Sequence, residues 1–334
     1  MKAIALLSGG LDSTLAAKVV IEQGVELEAF NFMTVFYTCT HRGATCLASQ
    51  KAVDTLGISL RVFNVSEEHL RVVKHPKHGY GRNMNPCIDC RIFMLKKAKA
   101  YMEESGAAFI VTGEVLGQRP MSQRKDAMRL IEREAGLEGL ILRPLSANVL
   151  PITIPEKEGW VDRKKLLNFQ GRSRKPQIEL AEHYGIHDYP CPAGGCLLAD
   201  PGFGKRMKDL MLHQSIFSLN DVHLLKIGRH FRFPDGVKLV VGRNEEENQK
   251  IETFAQEKDI LLKVSNFPGP LSLLRGNLDE GDIEKAAAVT AHYSKAKDLG
   301  NAGVTCKSVE KDDQRFLSAS PISRREVESL MINE

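Results

Sequence analysis

The sequence predicts an α/β fold: a doubly wound parallel sheet followed by a smaller C-terminal α+β domain. Three observations carry that expectation. Apolar strand-like runs alternate with helical patterns through the first half of the chain. A glycine pair, Gly9-Gly10, stands between the first such run and the first helical pattern. The composition then shifts around Asp200, in "LLADPGFGKR", where a domain boundary is expected.

Taken in order, Ala3–Leu7 is an unbroken apolar run, the mark of a strand buried on both faces, and Ser13–Glu22 has helical periodicity. Leu27–Met33 is a second strand, Leu47–Leu56 a helix, and Ser59–Val65 ("SLRVFNV") a third strand. Ile92–Glu104 is a long helix, Ala108–Thr112 a fourth strand and Gln123–Glu134 another helix. At this spacing the strands are parallel with right-handed crossovers, and ligands belong outside their carboxyl ends, where Ser8, Met33 and Thr112 fall. From Pro144 to Pro192 prolines and basic residues break the pattern. Further on, "VKLVVGRNEEENQKIETFA" reads strand, turn, helix, and Ile283–Lys297 is a further helix. The expected organisation is a catalytic domain over residues 1–200, a second domain over 220–320 and a tail over 321–334.

The 334 residues suffice for two cores, and 43% apolar with 26% charged residues is ordinary for a globular protein. The net charge of +4 is small but unevenly placed. Arg119–Lys175 holds 13 Lys and Arg against 7 Asp and Glu, whereas residues 201–334 hold 20 of each. A local basic surplus suits a polyanion, as it also suits a solvated helix face. No run of about 18 apolar residues appears and the first 30 residues lack the parts of a signal peptide, so a cytoplasmic protein is expected. In that compartment the seven cysteines point to chemistry or metal rather than disulfides.

The turn Ser8–Thr14, "SGGLDST", is built to hold an anion. Gly9 and Gly10 let backbone approach a ligand, the helix presents free N–H groups, and Ser8, Ser13 and Thr14 add hydroxyls. The lysine of a Walker loop is missing, and Asp12 stands in the turn instead. An acid beside phosphates calls for a bridging divalent cation, Mg²⁺, or for a substrate group to orient. S-G-G-x-D-S/T after a first strand resembles the PP-loop of the ATP pyrophosphatases, of adenine nucleotide α-hydrolase-like fold. That family splits ATP between the α and β phosphates and activates a carbonyl oxygen as an adenylate. The resemblance implies ATP contacts from Ser8, Gly9, Gly10, Asp12, Ser13, Thr14, Met33 and Gly113.

The cysteines indicate the nucleophile. Cys87 and Cys90 form a C-x-x-C at a helix N-terminus, where thiol pKa values fall, and Cys191 and Cys196 lie in a Pro/Gly-rich loop. From spacing alone, a structural zinc site and a thioredoxin-type pair both remain open. "NPCIDC" and "KPQIELAEHYGIHDYPCPAGGC" are similar to the two cysteine-bearing stretches of the bacterial tRNA-specific 2-thiouridylases, over about residues 1–200. That resemblance implies a persulfide on Cys196, with Cys90 resolving the disulfide that follows or assisting release. Cys87 stands where that family usually has an acid, and Thr112-Gly113-Glu114 replaces its T-G-H. The extra cysteine resembles the tRNA thiolases that hold a [4Fe–4S] cluster, which implies ligation by Cys87, Cys90 and Cys196, with Cys191 as the alternative third ligand. Cys39, His41 and Cys46 form a third group, read as a mobile loop with a buried cysteine, and Cys306 is read as structural.

A thiolase of this kind implies tRNA as partner and sulfur from a donor protein, a cysteine desulfurase or relay, or from inorganic sulfide. Arg119, Arg124, Lys125, Arg129 and Arg133 lie along one helical region, and Arg163, Lys164, Lys165, Arg172, Arg174 and Lys175 form a second basic cluster expected to hold RNA. The lone Trp160 is a core residue or a stacking platform. "KIGRHFRFPDGVKLVVGRNEEENQKIETFA", with "VSNFPGPLSLLRG" and "AAAVTAHYSKAK", resembles the RNA-binding domain of the NFACT proteins, although "DILLKV" at Asp259–Val264 lacks its Trp and His. The function implied is ATP-dependent thiolation of a tRNA uridine. A PP-loop amide-forming ligase, a non-catalytic RNA-binding protein and a thiamine-type sulfur-transfer enzyme are the alternatives.

Overall fold

The computed structural model describes residues 1–37, 44–189, 196–298, 300–311 and 313–332, with backbone alone at 44–47. Cys39, His41 and Cys191, and the side chain of Cys46, lie outside the described residues. The chain divides into two compact units, Met1–Ala199 and Asp200–Glu334.

In the first unit the elements are β1 (Lys2–Leu6), α1 (Leu11–Ile21), β2 (Glu26–Met33), α2 (Ala44–Leu56), β3 (Ser59–Asn64), α3 (Ser66–Lys74) and α4 (Cys87–Ser105). There follow β4 (Phe109–Thr112), α5 (Lys125–Ala135), β5 (Ile141–Leu142), the short α6 (Ile154–Lys157) and α7 (Lys175–His183). The sheet order is β3-β2-β1-β4-β5 and every pair is parallel. β1 is central. Ala3, Ala5 and Leu7 face a core shared with α1, α2 and α7, while Ile4 faces the other core with α4 and α5. Burial on both faces explains why the first strand reads as a continuous apolar run. The chain winds outward from β1 to β3, then crosses back to β4 and β5. The strand order therefore reverses between β1 and β4, which makes their carboxyl ends the crevice of the sheet.

Three differences from the sequence reading have local causes. α1 starts at Leu11, so Asp12 stands in its first turn rather than in the loop. α4 starts at Cys87, five residues ahead of the periodic stretch. Its first turn is polar because Asp89 accepts backbone N–H bonds from Lys77 (3.1 Å) and His78 (3.0 Å). α3 and the two-residue β5 carry too short a pattern to be read.

In the second unit come α8 (Pro201–His213), α9 (Leu219–Leu224), β6 (Arg229–Arg232), β7 (Lys238–Val241), α10 (Glu245–Thr253), β8 (Ile260–Val264) and β9 (Leu271–Arg275). α11 (Glu280–His292), β10 (Ala302–Ser308), β11 (Gln314–Ala319) and α12 (Arg324–Leu330) complete it. The six strands form an antiparallel sheet ordered β11-β10-β8-β9-β7-β6. α11 packs its Ile283, Ala286, Ala287 and Val289 into the core, and Cys306 of β10 is buried there. Asp209 holds Arg232 (2.6 Å) and the buried Lys238 (2.9 Å). Burial still pulls the Lys238 amine down to about 8 against that carboxylate.

Candidate active site

The glycine turn occupies the crevice between β1 and β4. Gly9 has φ +75°, and a Cβ there would stand 2.5 Å from the Ala48 carbonyl carbon of α2. At Gly113, just past β4, a Cβ would stand 2.5 Å from the Ser13 nitrogen. Only glycine lets both neighbouring segments close on the first turn of α1. Within the turn, the Ser13 hydroxyl donates to the Gly10 carbonyl (2.9 Å) and the Thr14 hydroxyl to the same oxygen (3.1 Å). Ser8 and Ser13 hydroxyls lie 3.2 Å apart. The first N–H groups of α1 have no helical acceptor, as at every helix start, which is the local condition for holding an anion.

Asp12 is fixed from one side. Gln118, in the loop after β4, donates to Asp12 Oδ2 (2.8 Å), and Gln177 of α7 donates to Gln118 Oε1 (3.1 Å). Gln177 is fully buried, and Asp12 Oδ1 is buried without a partner among the described residues. A buried bare carboxylate oxygen beside free helix N–H groups is a fitting ligand for Mg²⁺ carried with a phosphate. Neither glutamine stood out in the sequence. The clue available was a polar loop at a strand's carboxyl end.

α7 reaches this place because the chain from Leu166 to Gly171 is stitched along the strand ends. Leu167 N–H donates to Pro144 (2.8 Å), Phe169 N–H to Leu145 (2.7 Å) and Gly171 N–H to Leu116 (2.7 Å). Met33 ends β2, partly exposed, and its carbonyl accepts from Val65 (2.9 Å).

The cysteines meet next to this loop. Cys196 bridges to Tyr37 beyond β2, Leu197 N–H donates to Phe36 (2.9 Å), and Met84 N–H donates to Leu198 (3.0 Å). Cys87, Cys90 and Cys196 feel one another's charge, and Arg119, the neighbour of Gln118, acts on Cys196 and Tyr37. The expected lowering of thiol pKa by the helix N-terminus is corrected here. Burial pushes the Cys90 thiol far up, helped by Cys196 and Cys87, and pushes Cys196 to about 11. Burial likewise raises Tyr37 to about 12. Among the described residues, no three His, Cys, Asp or Glu side chains are gathered as the shell of a single metal ion. Beside Cys90, Arg91 pairs with the buried Glu114 (2.7 Å), which also holds Arg143 (2.9 Å). Burial alone would raise the Glu114 carboxyl, but the two guanidinium charges outweigh it and hold it at about 2. This triad ties α4 to the ends of β4 and β5.

The basic cluster of the sequence is split. Lys164, Lys165, Arg172 and Lys175 are exposed, and Arg174 is half-buried. Arg163 is turned inward instead, pairing with Glu156 and donating to the carbonyls of Ala147 (2.7 Å) and Leu150 (3.0 Å). Trp160 stacks on Phe109 of β4 at 6.1 Å, as a core residue does.

Residues 1–148 match the family model of the thiamine biosynthesis protein ThiI, and residues 228–331 match that of the NFACT protein RNA binding domain. The chain is 30% identical to a "probable tRNA sulfurtransferase" of Lysinibacillus sphaericus over 55% of its own length and 46% of the relative's. It is also 30% identical to one of Geobacillus kaustophilus, over 56% and 39%. The chain thus spans less than half the length of these curated relatives. Among solved structures, a 4-thiouridine synthetase in complex with RNA and bound ATP aligns at 21% identity and TM-score 0.38, over 67% of this chain and 52% of that one. The U34-tRNA thiolase NcsA from Methanococcus maripaludis with its [4Fe-4S] cluster aligns at 16% and 0.34, over 67% and 70%. Residues 1–148 are thus similar to the ThiI family and residues 228–331 to the NFACT RNA-binding domain, the one stretch lying in the unit with the parallel sheet and the other in the unit with the antiparallel sheet.

Proposed function

We propose that the protein is an ATP-dependent tRNA sulfurtransferase that thiolates a uridine. One observation carries the reading. Gln118 holds Asp12 of the phosphate turn, and Arg119 beside it lies in charge range of Cys196, so one loop borders both the turn and the thiols.

The turn residues Ser8–Thr14 bind the ATP phosphates, and Asp12 Oδ1 takes the Mg²⁺ that accompanies them. The uridine carbonyl oxygen forms a bond to the α-phosphorus, and pyrophosphate leaves with the electron pair. The free N–H groups of α1 and the cation offset charge on the leaving group. The terminal sulfur of a Cys196 persulfide then attacks the activated carbon, and AMP leaves. Cys90 attacks the Cys196 sulfur, which frees the thiocarbonyl and forms a Cys90–Cys196 disulfide. An external thiol reduces that disulfide before the next turnover. Both thiols rest protonated, in keeping with their burial, so each must lose its proton only as it reacts. Three thiols in mutual charge range also suit, as a donor set, a [4Fe–4S] cluster, which when bound would present an open iron for donated sulfide. The second unit, with its NFACT-type domain, is the tRNA-holding part in this reading.

The test is reconstitution of the anaerobically purified chain with ATP, Mg²⁺, unmodified tRNA and either a cysteine desulfurase or sulfide. Pyrophosphate release and one new thiolated nucleoside, both dependent on ATP, are expected. Pyrophosphate release with ammonia consumed and no sulfur incorporated would instead identify an amide-forming ligase. A visible absorption band lost on exposure to air separates the cluster from the persulfide.

A further inference from the structure

α5 sorts its charges. Each of its acids is engaged off the row of its cations: Asp126 with Arg124 (3.4 Å), Glu132 with Arg143, and Glu134 with Lys77 (2.8 Å) and His78 (3.1 Å). Its cations Lys125, Arg129 and Arg133 recur every fourth residue, so they form one row with steps of about 6 Å along the axis. They are exposed and engage no acid among the described residues.

All three line a cavity of about 500 Å³ at β5, the strand at the free edge of the sheet. Apolar side chains line it as well: Met128 of α5, Ile141 of β5, and Leu150, Pro151 and Ile152 of the segment that follows. Ile152 is 53% exposed and so open to a ligand in the cavity. Arg143 also borders the cavity, 5% exposed, and its Nη2 is buried with no partner among the described residues. Of the acids at the cavity, Glu132 and Glu156 are taken by Arg143 and Arg163, while Glu138 has no cation partner among the described residues. None of Ser8–Thr14 or Gly113 lines it, so it is separate from the phosphate turn.

We propose that this cavity receives one nucleotide of a single-stranded RNA segment, the cation row holding successive phosphates and the apolar side chains taking the base. The inference rests on the reading of the chain as an RNA-acting protein. The volume suits a nucleotide. A row of cations beside an apolar recess is the arrangement that binds single strands by backbone charge and base contact. Glu138 supplies an acceptor for a base amino group or a sugar hydroxyl. A free nucleotide presents the same chemistry, and the experiment separates the two.

The full chain, its R129Q/R133Q double variant and Ile152→Ser are titrated with a fluorescent single-stranded RNA and with AMP, across salt concentrations. Arginine modification by phenylglyoxal, read by mass spectrometry, locates the contact. The double variant is expected to bind RNA about tenfold more weakly near 0.1 M salt, with the salt slope reduced by about 1.4, roughly 0.7 for each lost phosphate contact. Ile152→Ser should weaken binding with the slope unchanged. RNA should shield Arg129 and Arg133 from modification in the parent chain, and melting temperatures should stay within a degree or two because these side chains are exposed. Unchanged affinity and slope in the double variant, together with continued modification of Arg129 and Arg133 in the parent chain under saturating RNA, overturns the proposal. Shielding by AMP but not by RNA overturns the strand and leaves a free-nucleotide pocket. If the parent chain binds no RNA at all yet AMP shields both arginines, the proposed function fails while the pocket stands as a nucleotide site.

Discussion

At the scale of single residues, the geometry of the glycine turn depends on groups the motif does not contain. Asp12 is part of S-G-G-x-D-S/T, so as a candidate residue it was legible from the sequence. The two amides that orient it were not, because Gln118 lies 106 residues away and reaches it only through the crossover to β4. Gln118, held in turn by Gln177, occupies Oδ2 and leaves Oδ1 bare. Replacing Gln118 by Leu strands a buried carboxylate oxygen and frees the Asp12 side chain to turn. Such outer partners of a metal ligand typically carry 10–100-fold in metal affinity. Gln118→Leu is therefore expected to raise the Mg²⁺ concentration needed for half-maximal pyrophosphate release by about that factor, with kcat at saturating Mg²⁺ largely retained. Asp12→Ala should abolish release at any Mg²⁺ concentration while tRNA affinity, read by filter binding, is unchanged. A Gln118→Leu enzyme with an unaltered Mg²⁺ requirement would remove the positioning role. The thiols show the opposite limit of sequence reading. Helix position argues for a low pKa at Cys90, but position says nothing of desolvation, and at the partly buried Cys90 thiol desolvation is the largest effect and raises it.

At the scale of elements, the strands and long helices of the first unit were legible because both faces of the sheet are covered, which writes continuous apolar runs into β1 and β4 and leaves the buried part of β2 apolar but for Glu28 and Asn31. α3 was not, since its nine residues are mostly polar and its buried side is the narrow strip Ser66, His69, Leu70 and Val73. That strip has a measurable consequence. His69 stacks on Phe93 of α4 at 6.0 Å and meets Phe36 edge-on at 5.6 Å, with neither ring nitrogen hydrogen-bonded among the described residues. Burial lowers its pKa from 6.5 to about 4. The folded ring thus stays neutral where the unfolded one takes up a proton. The stability this contributes is present in full above pH 6.5 and is lost as pH falls through about 4. Between those values His69 adds a slope of about 1.4 kcal/mol per pH unit to the unfolding free energy. Urea unfolding from pH 7 to 4 should therefore lose that slope in His69→Phe, which keeps the aromatic stack. An identical pH profile in the variant would mean that the imidazole is solvated and the α3–α4 contact looser than described.

At the scale of the whole molecule, the two units differ in architecture and in charge. Cores on both faces of a parallel sheet draw only on residues before Ala199, and the cores around the antiparallel sheet only on residues beyond Asp200. The composition shift near Asp200 was legible because a chain leaving one core for another passes through Pro and Gly. The antiparallel order of the second sheet was not, since strand order is set by long-range pairing. Units that bury separate cores unfold as separate cooperative blocks. Calorimetry of the full chain should accordingly resolve two transitions, with a calorimetric enthalpy exceeding the van't Hoff value for the whole. Ligand linkage then assigns them. ATP with Mg²⁺ at about 100 times its Kd stabilises the unit that binds it by roughly 2.7 kcal/mol. For a block of this size that is a rise of about 5–10 °C. Only one transition should move, and it should be the one abolished as a ligand response by Asp12→Ala, while the other keeps its midpoint. A single transition that shifts as a whole with ATP would mean that the second unit folds only as part of the first, and that the nucleotide site and the NFACT-type domain are thermodynamically one body.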